Sequence, residues 1–365
     1  MKLEKISLLC MALATVCCFS SCEKENNEPT GPDADKPTVS QGLYVLNQGN
    51  SYAGIDGSFN VIDYNNDESY RNVFKEVNKR QLGATPQCGV AYGSKIYIGV
   101  YESNTIEILN RDTYKSAKQI LLSDSKSNGS QPRCMVANGG KVYISMFDGY
   151  VARLDTLTME IEASVKVGPN PENMAILNGK LYVPNSDGLT MTGKYGTTAS
   201  IIDLSSFEVT GTFEVPENPS AFYTDGRSLY LLAVGNYGDV ASKLFKINDD
   251  LSYEYIDDAT IACICGNYLC YVNDPFYGSG QAEYKKYELS TGEITGWDIE
   301  RPEYASSIYY DKLAGKIAIS SLRFYGGIWP SYEKPGYIAV YDMTGRHLND
   351  YEVGVGPACI FSNAE

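Results

Sequence analysis

Gly-Leu-Tyr-Val-Leu-Asn occupies residues 42–47, and variants of this phrase recur along the chain. Clear copies are Lys-Ile-Tyr-Ile-Gly (95–99), Lys-Val-Tyr-Ile-Ser (141–145), Lys-Leu-Tyr-Val-Pro-Asn (180–185) and Ser-Leu-Tyr-Leu-Leu (228–232), and weaker copies are Tyr-Leu-Cys-Tyr-Val-Asn (268–273) and Lys-Ile-Ala-Ile-Ser (316–320). The phrases are spaced by 53, 46, 39, 48, 40 and 48 residues, counted between their central residues, the anchors: Tyr44, Tyr97, Tyr143, Tyr182, Tyr230, Cys270 and Ala318. A strand phrase that returns about every 40–50 residues is typical of a β-propeller, so the sequence predicts seven blades.

The third repeat shows the content of one blade. Strand-forming residues at 132–137, 142–146, 150–154 and 160–167 are separated by turns rich in Gly, Asn and Asp. This pattern predicts four antiparallel strands in each repeat, and an all-β propeller over residues 42–365. The segment 69–82 is ambiguous, and we interpret it as an outer strand with a polar loop.

The two ends of the propeller are predicted to meet. Most repeats begin with a Pro-x-x phrase, such as Pro86-Gln87-Cys88 or Pro132-Arg133-Cys134. The first repeat lacks this phrase, and it occurs instead near the end of the chain as Pro357-Ala358-Cys359. We therefore expect the C-terminal strand to complete blade one, which removes an exposed sheet edge.

The N-terminal region has the features of a lipoprotein. Residues 1–21 combine two lysines with an apolar run and predict a signal peptide. Cys22 follows Phe-Ser-Ser in a sequence that resembles a bacterial lipobox, so we expect Cys22 to be lipidated; a plain secretory signal is the alternative. The acidic stretch 23–28 is similar to the surface-export signal of Bacteroidetes lipoproteins, and residues 22–41 predict a flexible tether. The expected location is the outer membrane, facing the cell exterior.

Charge and residue types limit the function. The net charge of −15 argues against nucleic acid as a partner. His347 is the one histidine, and it falls in an outer turn, which argues against Ser-His-Asp and Cys-His catalysis. We expect a protein that is not an enzyme and has no metal site and no cofactor of its own.

The cysteines form two groups in the sequence. Cys88, Cys134 and Cys359 share one repeat position near the axis, where a metal ring is possible but a need for small side chains is the simpler explanation. Cys263 and Cys270 would oppose each other across a hairpin. A disulfide between them is possible in an oxidising compartment, with Cys265 as a competing partner.

Aromatic residues mark the expected ligand-binding face. Long connections between second and third strands carry many of these residues, and such loops on a rigid scaffold often bind ligands. The predicted ligand-contacting aromatics are Tyr52, Tyr195, Tyr237, Phe276, Tyr277, Tyr325 and Trp329. Three amides at second-strand ends join the predicted set, namely Asn47, Asn185 and Asn273. The alternatives are that the rings cover loop backbones and that the amides cap local turns.

The phrases Gly-Leu-Tyr-Val-Leu-Asn-Gln-Gly-Asn (42–50) and Asn-Gly-Lys-Leu-Tyr-Val-Pro-Asn (178–185) resemble a known group. They are similar to the Bacteroidetes YncE-like seven-bladed propeller lipoproteins, which include the BtuG-type cobalamin-capture proteins. The resemblance implies capture of cobalamin (vitamin B12) or another corrinoid, and transfer to a TonB-dependent outer-membrane transporter. Glycan binding, protein docking and an enzyme are the alternatives.

Overall fold

The computed structural model describes residues 39–124, 128–190, 193–274, 282–300, 302–326 and 329–364. They form seven four-stranded antiparallel sheets, which are the blades of a β-propeller. The predicted fold class is therefore confirmed. The predicted signal peptide, Cys22 and most of the tether lie outside the described residues, as do Phe276 and Tyr277.

Each blade runs from an innermost strand to an outermost strand. Blade one contains β28 (Pro357–Ser362), β1 (Gly42–Asn47), β2 (Ser58–Asp63) and β3 (Glu68–Tyr70), and blade two contains β4 (Pro86–Tyr92), β5 (Lys95–Val100), β6 (Thr105–Asn110) and β7 (Ser116–Leu121). Blade three contains β8 (Pro132–Asn138), β9 (Lys141–Met146), β10 (Tyr150–Asp155) and β11 (Glu160–Lys166). Blade four contains β12 (Ala175–Leu177), β13 (Lys180–Asn185), β14 (Thr198–Asp203) and β15 (Glu208–Glu214).

Blades five to seven follow the same order. Blade five contains β16 (Pro219–Thr224), β17 (Leu229–Ala233), β18 (Lys243–Ile247) and β19 (Tyr253–Asp258). Blade six contains β20 (Ile261–Cys265), β21 (Tyr268–Asn273), β22 (Glu283–Glu288) and β23 (Ile294–Gly296). Blade seven contains β24 (Ala305–Asp311), β25 (Lys316–Ser321), β26 (Pro335–Asp342) and β27 (His347–Val355).

The C-terminal strand closes the ring, as the sequence predicts. In blade one, β28 pairs antiparallel with β1, so that Leu43 lies opposite Ser362 and Val45 opposite Ile360. Both strands are largely buried. Residues from the two ends of the propeller thus form one continuous sheet.

The anchors explain why the phrase recurs. The described residues contain seven hydrophobic clusters, one at each junction between neighbouring blades. Each anchor packs into the junction with the next blade, from Tyr44 between blades one and two to Ala318 between blades seven and one. Large rings such as Tyr97 and Tyr230 are fully buried there. The periodic phrase is therefore the repeated contact that holds one blade against the next.

The segment 69–82 differs from its prediction. Only Glu68–Tyr70 forms a strand, and Val73–Asn78 forms a short α-helix, α1. Phe74 of α1 is fully buried in the cluster between blades one and two. One buried turn of helix has too few residues to show a helical period in the sequence. Short 3₁₀ helices also occur at Ser51–Ala53 and Leu122–Asp124.

No helix in the described ranges has the length and apolar character needed to cross a membrane.

Candidate functional site

A bulge recurs at the start of the innermost strands. Strand pairing skips one residue after the first position in five blades, so the skipped residue is unpaired on the inner strand. Bulges of this kind redirect a side chain and often occur beside binding sites. The five bulge residues are Gln87, Arg133, Ser220, Ser306 and Ala358.

Four of these bulge residues line a cavity at the axis. We call it the axial cavity; its volume is about 360 Å³. It opens at the end of the propeller where innermost strands begin and where the second-to-third strand loops lie, which we call the loop face. The lining residues are Gln48, Gly49, Gln87, Arg133, Asn173, Tyr304, Ser306, Leu322, Tyr332, Gly356, Pro357 and Ala358.

One half of the cavity wall is a chain of hydrogen bonds across four blades, which we call the axial network. Arg133 donates from Nε to Glu172 Oε2 at 2.6 Å and from Nη1 to Gln87 Oε1 at 2.8 Å. Gln48 Nε2 lies 3.5 Å from the same Gln87 oxygen, and Ser186 Oγ donates to Glu172 Oε1 at 3.1 Å. These contacts connect blades one, two, three and four beside the axis.

Arg133 is held in place from two sides. Its Cζ lies 4.9 Å from the ring centroid of Phe147, in cation–π geometry. Burial lowers the pKa of Arg133, but the adjacent Glu172 carboxylate outweighs this and holds the pKa above its ordinary value. The guanidinium is therefore a fixed cation at the cavity wall, balanced by a buried carboxylate.

The opposite half of the cavity has a different character. Tyr304, Leu322 and Tyr332 come from the region of blade seven and give it rings and an aliphatic side chain. Ser306 contributes a hydroxyl that is already bonded to Pro357 O at 3.2 Å. The cavity is thus rich in amide and guanidinium groups on one side and in apolar groups on the other, a combination that suits an amphipathic ligand.

The rim around the cavity is uneven in height. The second-to-third strand connections are short in blades two (101–104) and three (147–149). They are longer in blades one (48–57), four (186–197), five (234–242) and seven (322–334). Among the described connections, the long loops thus belong to blades one, four, five and seven, and the rim is low above blades two and three.

The structure brings some of the predicted aromatics together. Tyr195 and Tyr237, on the loops of blades four and five, meet edge to face with their ring centroids 5.8 Å apart. Tyr52, Tyr325 and Trp329 are exposed at the tips of the loops of blades one and seven. The exposed rings are available to a ligand or partner, and Tyr332, from the same loop as Trp329, lines the cavity.

Asn47 and Asn185 serve the fold rather than the cavity. Asn47 is fully buried; Nδ2 donates to Asn60 Oδ1 at 3.1 Å, and Oδ1 accepts from Gly354 N, in the preceding blade, at 3.0 Å. Asn185 repeats this arrangement with Ser200 Oγ at 3.1 Å and Gly168 N at 3.1 Å. Each amide fastens one blade to the outer strand end of the blade before it, so we exclude both from the proposed ligand contacts.

The third predicted amide is placed differently. Asn273 ends β21 and is half-buried, and its side chain makes no hydrogen bond within the described part of the chain. It stays in the predicted ligand-contacting set.

The cysteines near the axis lie in separate junctions. Cys88 packs between blades two and three, Cys359 packs between blades one and two, and Cys134 accepts from Met174 N at 3.4 Å. Burial, together with the Cys134 and Cys359 thiols, raises the pKa of Cys88 well above its ordinary value. These small side chains fit the crowded positions between innermost strands.

Cys263 and Cys270 are directly opposed across the β20–β21 hairpin, in the predicted register. Both are free thiols here, as is Cys265, and the disulfide stays a prediction. Contacts with the Cys263 and Cys270 thiols, together with burial, raise the pKa of Cys265 well above its ordinary value.

Two polar side chains, those of His347 and Arg80, lie away from the cavity. His347 is on the outermost strand of blade seven, where Nε2 is 2.9 Å from Asp350 Oδ1. Arg80 binds the fully buried Glu107 of blade two at 2.8 Å.

Sequence reasoning missed Gln48, Gln87 and Glu172 as residues of the axial network. The Pro-x-x phrases that contain Gln87 and Glu172 were a usable signal.

A family model described as a domain of unknown function (DUF5074) matches residues 41–204, from the start of blade one to the third strand of blade four. No curated protein matches the sequence. The chain is similar in structure to a hypothetical selenium-binding protein from Sulfolobus tokodaii, with a TM-score of 0.62 and 13% identity over 92% of this chain and 93% of that one.

Two further solved structures are similar. Kuenenia stuttgartiensis hydrazine synthase gives a TM-score of 0.57 at 13% identity over 75% of this chain and 88% of that one. The RRP9 WD40 repeats give a TM-score of 0.52 at 10% identity over 74% and 81%. Because the identities are this low, the likeness concerns the fold alone. The chain is a seven-bladed β-propeller whose loop face fits a binding or docking role.

Proposed function

We propose that this propeller is a non-catalytic binding protein that captures cobalamin or a related corrinoid on its loop face. The observation that supports the proposal most is the two-sided axial cavity beneath a rim of aromatic loops. A corrin is a broad, apolar macrocycle that carries amide arms. The amide and guanidinium half of the cavity suits such arms, and the exposed rings suit the macrocycle.

The size of the cavity defines how the ligand would sit. About 360 Å³ is at the small end of the range for ligand pockets. One amide arm would enter the cavity, and the macrocycle would lie across its mouth between the long loops. Tyr195 and Tyr237 would contact the ring from blades four and five, and Tyr325 and Trp329 from blade seven.

Capture would serve uptake. In this proposal, lipid on Cys22 and the tether 22–41 keep the propeller at the outer surface of the outer membrane. A tether raises the effective concentration of the propeller near a membrane partner without any new contact. The partner would be a TonB-dependent outer-membrane transporter, which receives the corrinoid.

Calorimetric titration with cyanocobalamin tests the proposal. Saturable binding is expected, and a Tyr195→Ala/Tyr237→Ala double variant should weaken it about 30-fold, since truncating a buried aromatic contact costs about 2 kcal/mol. The matched control is Tyr253→Ala/Tyr255→Ala, which removes two exposed rings from the outermost strand of blade five. Absence of saturable binding by the wild type would refute corrinoid capture.

Glycan binding is the second candidate. It is favoured by three exposed rings in one loop of blade seven, Tyr325, Trp329 and Tyr332. This alternative would be supported if the wild type bound a glycan but not cyanocobalamin, and if Trp329→Ala lost the glycan binding.

A further inference from the structure

The axial cavity contains an unusual arrangement of charge. Arg133 is the single charged side chain among its described lining residues. Its counter-charge, Glu172, lies behind the wall with 7% of its surface exposed. The Nε–Oε2 distance of 2.6 Å and the bond from Ser186 to the other carboxylate oxygen fix that counter-charge in place. A ligand therefore meets a cation whose charge is already balanced.

The wall nevertheless retains free donor capacity. The contacts of Arg133 with Glu172 and Gln87 occupy two of the five N–H groups of a guanidinium. The Arg133 side chain is 34% exposed, and Asn173 is also exposed at the wall. Gln48 adds a second amide on the same side. The cavity thus offers N–H donors to an oxygen acceptor.

Charge decides which acceptor fits. A carboxylate would lose its hydration on entering and find no uncompensated cation among the described lining residues, in a chain of net charge −15. An amide carbonyl accepts the same N–H groups and loses much less hydration. We infer that the axial cavity selects a neutral amide arm over its carboxylate form, and that Glu172 sets this selectivity. The inference rests on the proposed function, for which it names the recognised group.

Paired ligands test the selectivity. Cyanocobalamin and a monocarboxylic derivative, in which one side-chain amide is hydrolysed, are titrated at pH 7 into the wild type and Glu172→Gln. We expect the wild type to bind at least one such derivative about tenfold or more weakly than the amide form. Glu172→Gln keeps the shape of the side chain and removes its charge, so the preference should shrink or reverse.

An exposed carboxylate in the loop region provides the control variant. Glu102→Gln removes an exposed carboxylate from the loop region, where Glu102 accepts from Ser51 Oγ at 3.1 Å, and should leave the preference unchanged. Thermal melting checks that each variant is folded. Equal wild-type affinities for the amide and every monoacid, or a preference that Glu172→Gln leaves unaltered, would overturn the inference while corrinoid capture stands.

A small-probe experiment separates the two proposals. Propionamide and propionate are titrated into ¹⁵N-labelled protein while the Arg133 Nε–H signal is followed. Propionamide should shift this signal in the wild type, and propionate should do so only in Glu172→Gln. A propionate response equal to that of propionamide in the wild type, or no response to either probe, overturns the inference whether or not cobalamin binds.

Discussion

Asn47 shows how one side chain joins two blades. Its amide bonds Asn60 and Ser58 in its own blade and the backbone of Gly354 in blade seven. A Cβ at Gly354 would lie 2.9 Å from Asn47 Cβ, so the close approach requires glycine there. The same pair recurs as Asn185 with Gly168. The asparagine phrase in the sequence therefore marks a blade junction.

Asn47→Ala should lower the free energy of unfolding by about 2 kcal/mol, because it leaves buried polar partners unpaired. Urea denaturation measures the change, and ligand affinity should stay as it is. The matched control is Asn273→Ala, at the equivalent sequence position but half-buried and without such bonds in the described structure. Equal losses in the two variants would contradict the assignment.

Asp342 gives the fold a dependence on acid. Its carboxylate accepts from Thr344 Oγ1 at 2.5 Å and from Arg346 Nε at 3.0 Å in the turn after β26. The Thr344 hydroxyl, followed by the contacts of Arg346, lowers the pKa of Asp342 to about 2. Because the folded-state pKa lies below the unfolded value of about 4, the turn stabilises the fold above about pH 4 and loses this contribution between about pH 4 and 2.

Asp342→Asn should therefore reduce the difference between urea midpoints measured at pH 6 and pH 2.5. The control is Asp112→Asn, on the equivalent turn of blade two, where Asn110 accepts the turn hydrogen bonds. That variant should keep the wild-type difference. An Asp342→Asn protein with an unchanged difference would show that this turn does not contribute.

Strands were easier to predict than the one α-helix described. The second strand of each blade carries the anchor phrase because that strand is buried on both faces, as in Lys95–Val100 and Lys141–Met146. In α1, one turn of helix buries Val73 and Phe74 against neighbouring strands. Tertiary packing, which no local pattern records, decides that segment.

Deleting residues 357–365 should destabilise the whole propeller, because β1 loses its inner partner and blades one and two lose part of their shared cluster. Differential scanning calorimetry should show a melting temperature at least about 10 °C lower, or no cooperative transition. A synthetic peptide of residues 357–365 should partly restore the transition, whereas a scrambled peptide should not. A truncated protein that melts like the wild type would contradict the closure.

The candidate binding face of the molecule was predictable only in part. Loop length and aromatic content predicted the loop face as the candidate site, but they did not indicate which side chains line the axial cavity. The bulges that direct Gln87 and Arg133 to the axis depend on pairing with β5 and β9, and a single strand does not reveal that register. Sequence patterns are therefore better at indicating a candidate binding end of a propeller than at indicating the side chains that line its axis.

The location of the whole protein is tested through Cys22. Cys22→Ala should release the protein from the membrane fraction, whereas Cys18→Ala, in the apolar run of the same segment, should not. Replacing Glu23, Glu25 and Glu28 with alanine should leave the protein membrane-bound but reduce its surface display. Equal removal of wild-type and triple-variant protein by protease added to whole cells would contradict the export signal.

The low rim above blades two and three makes the mouth of the axial cavity asymmetric. The short connections 101–104 and 147–149 leave one side of the mouth without a wall, and the polar side chains Gln87 and Arg133 lie beneath that side. A bound molecule would enter and leave sideways through this gap, past the long loops of the other blades. We expect a receiving protein to approach from blades two and three, so that bulky groups attached there would slow both capture and release.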